Sequence, residues 1–338
     1  MNDMQPPPPV VMTSLILGRL FAQAIGSAAR FGFADHLASG PRTVDELAAA
    51  TGTLPSTVHR LLRALAGSGI FVEVEPRRFA NTPLSETLRS DVPGSMRGFA
   101  RFFTSEAHTS AWFGLDYSMR TGKSAFDHIH GKSIWQFFQE NPELSADFSE
   151  SMSGFTLQTA SAVAETYDFS GIGTLVDVGG SKGALLTTIL ERHLDLRGVV
   201  FDLPEVIAGA REHVEKSPAA PRCELVGGDF FKEVPDGDAF ILKHVIHDWS
   251  DEDAISILHS VAKKAKPGAK CLLVEFVVKP GNDFDMAKRT DLEMLIVTNG
   301  GRERTKAEFA ALFEKAGFSL TRTIALIGDT YLIEAVRA

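Results

Sequence analysis

The segment Leu175-Val176-Asp177-Val178-Gly179-Gly180-Ser181-Lys182-Gly183 runs from a nearly unbroken apolar stretch into closely spaced glycines, and an amphipathic helix follows from about Ala184. An apolar run without alternation is the pattern of a strand buried on both faces. Glycines let the backbone approach a ligand closely, and the start of a helix favours a carboxylate or a phosphate. Taken alone, this strand–turn–helix is shared with nicotinamide- and flavin-binding folds.

The same pattern continues downstream. Apolar runs at 175–178, 199–202, 223–226, 239–245 and 271–278 alternate with helical patterns, which predicts parallel strands in a doubly wound α/β domain. The tail, 318–324 and 331–336 joined through Gly328-Asp329, predicts a closing antiparallel hairpin. Polar residues interrupt these runs near their carboxyl ends, where open α/β sheets bind ligands. In Phe201-Asp202-Leu203-Pro204, Asp202 is placed to accept the ribose hydroxyls of an adenosine. In Gly227-Gly228-Asp229-Phe230-Phe231, Asp229 suits the adenine amino group and Phe230 the ring face. Neither position offers an arginine for a 2′-phosphate. Next comes Leu242-Lys243-His244-Val245-Ile246-His247-Asp248-Trp249, with Ser250 capping a new helix. His247 falls where a strand ends beside the adenosine residues. Glu275 lies within a buried strand, where an acid requires a partner. Glu303 lies in the polar loop 299–305, ahead of a helix at 306–316.

Upstream, 95–168 is mainly helical and rich in aromatics, most of them core. Thr43 with Glu46 three residues later makes a capping box, and Gly52 ends that helix. A second helix over 57–66, stopped by Gly67 and Gly69, precedes a strand at 70–74 and a turn at 75–78, a winged-helix pattern. Within 43–80, Asp45, Glu46, Glu73 and Glu75 balance Arg60, Arg63, Arg77 and Arg78. That balance lacks the basic excess that drives DNA binding, so a scaffold role is favoured over a winged-helix regulator. Apolar residues on both faces of a helix over 15–37 predict burial against a partner as well. The Pro-rich first nine residues read as extended or disordered.

The 338 residues suggest two domains. With 34 basic and 43 acidic residues, a net charge of −9 disfavours partners such as nucleic acid or an anionic membrane. The apolar run from Val10 stops at Arg19, so no unbroken membrane-length stretch is expected, and the start lacks a signal-peptide pattern. Cys223 and Cys271 have neither metal-ligand nor disulfide spacing, and a cytoplasmic location is expected.

In order and spacing these motifs, together with Asp291-Leu292, Met294-Leu295 and 300–305, resemble the plant-type small-molecule O-methyltransferases. That family includes caffeate, flavonoid and hydroxyindole enzymes and bacterial natural-product relatives, and the resemblance runs from about residue 12 onward. It implies a winged-helix dimerisation domain (1–105) and a helical cap with a Rossmann-like S-adenosylmethionine (SAM) domain (106–338, sheet from about 174). It also implies a homodimer and metal-independent methyl transfer from SAM to a hydroxyl of a small aromatic acceptor, with S-adenosylhomocysteine as product. By position, His247 matches the general base, and Glu275 and Glu303 its supporting acids. Gly179, Asp202, Leu203, Asp229, Phe230 and Lys243 match cofactor contacts. Met152 and Met294, with Trp135, Phe155 and Asp248, fall on the acceptor side. Ser181 departs from the family's usual glycine, which is tolerated if the position does not need positive φ; Lys182 replaces a small or polar residue. Relatives that hold SAM for hydroxylation, decarboxylation or pericyclic steps are the alternative, as is N-methylation. The His247, Glu275 and Glu303 set favours O-methyl transfer, and it has no evident role in a dehydrogenase.

Overall fold

A computed structural model describes residues 6–338, apart from the side chains of 153–155. The chain forms two compact units. One holds the residues up to Thr109 together with Phe138–Gly154, and the other Ser110–Phe137 together with Phe155–Ala338. The sequence reading makes one cut at 105/106; the compact units interleave instead. Aromatic packing accounts for this: the Phe102 ring lies 6.0 Å from Phe138 and 5.1 Å from Phe148, and Arg101 pairs with Asp147 at 3.1 Å.

In the first unit a 23-residue helix spans Pro8–Arg30, beginning inside the stretch expected to be extended. Proline suits a first helical turn, whose N–H groups have no partner there. Only its later part is packed, through Gly26, Ala28 and Ala29. Val10, Val11, Met12, Leu15, Ile16, Leu17 and Leu20 are exposed. By length and composition this helix is apolar enough to cross a membrane. The unbroken-run criterion missed it because Arg19 interrupts the run without outweighing it. The winged-helix pattern is present. Thr43 caps Val44–Thr51 in a capping box with Glu46, Pro55–Ala66 follows, and β1 (Arg42–Thr43), β2 (Phe71–Glu75) and β3 (Arg78–Asn81) form a sheet in the order β1-β3-β2. Val44, Leu47, Val58, Leu62, Leu65 and Phe79 fill its core.

The second unit is a seven-stranded sheet. Its strands are β4 (Thr174–Val178), β5 (Arg197–Asp202), β6 (Cys223–Gly227), β7 (Ala239–Lys243), β8 (Lys270–Phe276), β9 (Phe318–Ala325) and β10 (Thr330–Arg337). Their order is β6-β5-β4-β7-β8-β10-β9. The first five are parallel, and β10 runs antiparallel between β8 and β9. Val176, Val178, Phe240 and Leu242 pack into one core, Leu175 and Ile241 into another, so both faces are dry. This two-sided burial is why the strands read as continuous apolar runs. From β4 the chain proceeds to β5 and β6 on one side and then to β7 on the other. That reversal opens a crevice at the carboxyl ends of β4 and β7.

Two strands end earlier than their apolar runs predict, at Lys243 rather than 245 and at Phe276 rather than 278. His244 takes φ +50°, and the N–H groups of Val245 and Ile246 donate to Glu275 Oε1 at 3.1 and 2.9 Å. The backbone thereby leaves the ladder for a short 3-10 turn, Ile246–Asp248.

Candidate active site

The crevice starts with the glycine turn. Gly179 has φ +75°, and a Cβ there would lie 2.7 Å from the Val245 side chain, so the position admits only glycine. Ser181 has φ +51°. The position therefore does require positive φ, and the condition on which the serine was expected to be harmless is not met. A left-handed non-glycine residue costs about 1–2 kcal/mol. Offsetting this, the Ser181 N–H donates to Asp202 Oδ2 at 2.8 Å, while the Leu203 N–H donates to Oδ1 at 2.7 Å. Burial nevertheless keeps the Asp202 pKa above its usual value against these two donors.

Asp229 accepts from the Phe231 N–H at 2.9 Å, and Phe230 lies edge-on to Trp249 with ring centroids 6.0 Å apart. An open groove of about 620 Å³ runs past exposed Leu203, Gly228, Asp229 and Lys232.

Asp177 is fully buried in β4, and its Oδ2 has no hydrogen-bond partner among the described residues. Burial pushes its pKa to about 7, with the Lys243 charge pulling the other way. Lys243, at the end of neighbouring β7, is lowered by burial against the attraction of Glu275 and Asp177. A buried carboxyl and a half-buried ammonium at adjacent strand ends suit the two charged ends of an amino acid. A clamped Asp202 and a glycine cradle suit a ribose beside it. The residues present therefore fit SAM.

The acid–base group lies on the other side of β7. His247 Nδ1 donates to Glu303 Oε1 at 2.9 Å, since a carboxylate can only accept. Glu275 Oε2 is 3.9 Å from that nitrogen, and Asp248 Oδ1 is 3.5 Å from Nε2. Burial opposes charge on the imidazole, but Glu303, Asp248 and Glu275 together outweigh it and raise the His247 pKa to about 10. Burial drives the Asp248 pKa to about 7, with His247 opposing and the two glutamates adding to the rise. Burial works against the Glu275 charge too, yet His247, His244 and the Ile246 N–H hold its pKa below the usual value.

The surrounding backbone is stapled. Arg304, fully buried, donates to the carbonyls of Ile246 (2.9 Å) and Trp249 (2.8 Å) and forms a two-pronged pair with Asp251 at 2.8 and 3.0 Å. The Glu303 N–H donates to Asp291 at 2.9 Å, and the Arg302 N–H donates to the His247 carbonyl at 2.8 Å. A Cβ on Gly301 would come within 2.7 Å of that same carbonyl.

The structure thus gathers His247, Glu275, Glu303, Asp248 and Lys243 at one end of the sheet. Met294 is buried on the helix Met286–Val297, and Trp135 is exposed on Ile134–Glu140. Met152 belongs to the first unit, and the Phe155 side chain lies outside the described residues. Sequence reasoning gave no role to Asp177, His244 or Arg304. For Asp177 and His244 the signal was available, a polar residue in or against a dry strand.

Residues 112–319 match the O-methyltransferase domain model, and 13–91 match the O-methyltransferase dimerisation domain. The chain is 38% identical to phenazine O-methyltransferase PhzM of Lysobacter antibioticus, over 96% of this chain and 95% of that protein. It is 38% identical to the mitomycin biosynthesis 6-O-methyltransferase of Streptomyces lavendulae, over 97% and 94%. It superposes on the S-adenosylhomocysteine-bound crystal structure of CalO1, a methyltransferase in calicheamicin biosynthesis, with a TM-score of 0.84, 35% identity and full coverage of both chains. With its cofactor cleft, its buried histidine–glutamate pair and these likenesses, the chain belongs to the family of SAM-dependent O-methyltransferases.

Proposed function

We propose that the protein methylates a hydroxyl of a small aromatic natural product, with His247 as general base. The observation that carries this reading is the 2.9 Å hydrogen bond from His247 Nδ1 to Glu303. It fixes the tautomer and leaves Nε2 to take the acceptor's proton. Glu275 supports the base by its charge and by holding the turn that bears it. When bound, SAM supplies an electrophilic sulfonium methyl group. A phenol ionises near 10, about 3–4 units above an ordinary imidazole. Raised to about 10, His247 matches it, and proton transfer between them is close to level. Glu303 and Asp248 stabilise the imidazolium that forms. Gly179, Asp202, Leu203, Asp229, Phe230 and Lys243 hold the cofactor; Asp248, Met294 and Trp135 contact the acceptor.

The aromatic acceptor is proposed because the named relatives are a phenazine O-methyltransferase and a mitomycin biosynthesis 6-O-methyltransferase. The unit that holds the residues up to Thr109 with Phe138–Gly154 serves dimerisation and the unit that holds Ser110–Phe137 with Phe155–Ala338 serves catalysis, in a cytoplasmic homodimer. The dimerisation match and the exposed apolar face of the first helix support the homodimer. Incubation with labelled SAM and a panel of hydroxylated phenazines, quinones and phenols tests the acceptor class. His247→Ala retains SAM affinity and loses at least ~10²-fold in turnover. Near wild-type turnover of that variant at neutral pH would sink the base assignment.

A further inference from the structure

Around His247, three buried polar atoms have no hydrogen-bond partner among the described residues: His244 Nδ1, Glu275 Oε2 and Glu303 Oε2. Glu275 is 0% and Glu303 4% exposed. Two ring nitrogens converge on one of these atoms, Glu275 Oε2, at separations longer than a good hydrogen bond. His244 Nδ1 is 3.4 Å from Glu275 Oε2, and His247 Nδ1 is 3.9 Å from the same oxygen. Ligand nitrogen and oxygen atoms about 2.0–2.2 Å from a tetrahedral ion stand about 3.3–3.6 Å apart. One ligand atom from each of His244, His247 and Glu275 falls within 4.8 Å of the others.

We propose that His244, His247 and Glu275 form a binding site for a divalent transition-metal ion of the zinc type, with Glu303 supplying a fourth ligand. Two imidazoles and two carboxylates match such an ion in both softness and charge, since the two anions balance its two positive charges. Magnesium and calcium are poorly served, because they require six or more oxygens. His244 is the member with no part in the methyl-transfer chemistry proposed above. Its left-handed backbone, φ +50°, turns the chain out of β7 beside Glu275. Ion binding takes the His247 Nδ1 lone pair and breaks the hydrogen bond to Glu303, so the neutral ring carries its one proton on Nε2 and can no longer accept the proton of the acceptor hydroxyl. The bound state is therefore inactive, a consequence that rests on His247 being the base.

The test uses the full-length enzyme loaded with S-adenosylhomocysteine and Zn²⁺ as the probe, with binding measured by equilibrium dialysis. The expected result is one Zn²⁺ per chain, with affinity at least ~10-fold weaker in His244→Asn, a residue that tolerates the left-handed backbone. In turnover assays at buffered free Zn²⁺, the half-inhibiting concentration rises by the same factor in His244→Asn, while its metal-free turnover stays at the wild-type level. A chelator restores the wild-type rate. The site is overturned if the wild type takes up no Zn²⁺, or if His244→Asn binds it as tightly as wild type. Binding that depends on His244 but leaves turnover untouched upholds the site and overturns the assignment of His247 as base.

Discussion

Arg304 Nη1 donates to the carbonyl oxygen of Ile246 at 2.9 Å, tying the loop that carries Glu303 to the turn that carries His247. The acid and the base are thus spaced by a side-chain-to-backbone link one residue away from each, not by their own contact alone. The remaining guanidinium donors are taken by Arg302 O, Trp249 O and Asp251, so the staple is saturated.

Removing that link costs both stability and rate. Arg304→Met leaves three carbonyls short of a donor while Asp251 keeps Arg302 at 2.9 Å, and about 1–3 kcal/mol of stability is lost. Turnover falls by about 10²-fold, as expected for an acid–base pair displaced by about 1 Å. Arg304→Lys keeps the charge without the fork and falls between the two. Thermal unfolding and kcat, measured on both variants, check the order.

The raised His247 pKa sets the pH profile. kcat/KM for a simple phenol rises with pH through the neutral range towards about 10. Among the groups that raise it, Glu303 is the largest contributor, so Glu303→Gln moves the rising limb down by about 1–3 units and lowers its plateau. The stability contribution follows the same sign. With a folded-state value above the ordinary 6.5, His247 stabilises fully below about pH 6.5, and that contribution is lost as pH rises through about 10. Denaturant unfolding across this window, in wild type and in Glu303→Gln, reads it directly.

Ser181→Gly relieves a left-handed serine. The strain of about 1–2 kcal/mol is partly offset by about 0.5–1 kcal/mol of glycine chain entropy, so a net gain of up to about 1.5 kcal/mol is expected. The Asp202 contact uses the backbone N–H and survives the change. A higher Tm with unchanged S-adenosylhomocysteine affinity by calorimetry is the expected result.

Leu15 and Ile16, 68% and 66% exposed on the Pro8–Arg30 helix, test the homodimer. Leu15→Glu with Ile16→Glu shifts the protein towards monomer in light scattering. It also leaves the unfolding of the second unit unchanged, because neither side chain is part of its core.

The ligand end of the sheet was legible in the sequence because dry strands show as apolar runs and their polar ends stand out. Asp202, Asp229, His247 and Glu275 were all singled out this way. Glu303 and Met294 came instead from the family pattern. Backbone conformation was not legible. Nothing in the composition around Ser181 or His244 announces a positive φ, and the early end of β7 depends on Glu275, a residue some thirty positions downstream. Nor does sequence order reveal that 138–154 packs with Phe102. That assignment depends on aromatic side chains meeting across long chain separations, which periodicity does not record.

The antiparallel insertion of β10 also has a consequence for how the protein is made. β8, which bears Glu275, is flanked by β10 through pairs such as Tyr331 with Glu275. Until 330–337 have emerged from the ribosome, that edge of the catalytic sheet has no cover. At synthesis rates of about 5–20 residues per second, the nascent chain carries an apolar open edge for several seconds. Slow translation between β8 and β10, or a shortage of chaperone, therefore raises the aggregated fraction without altering any contact in the finished enzyme.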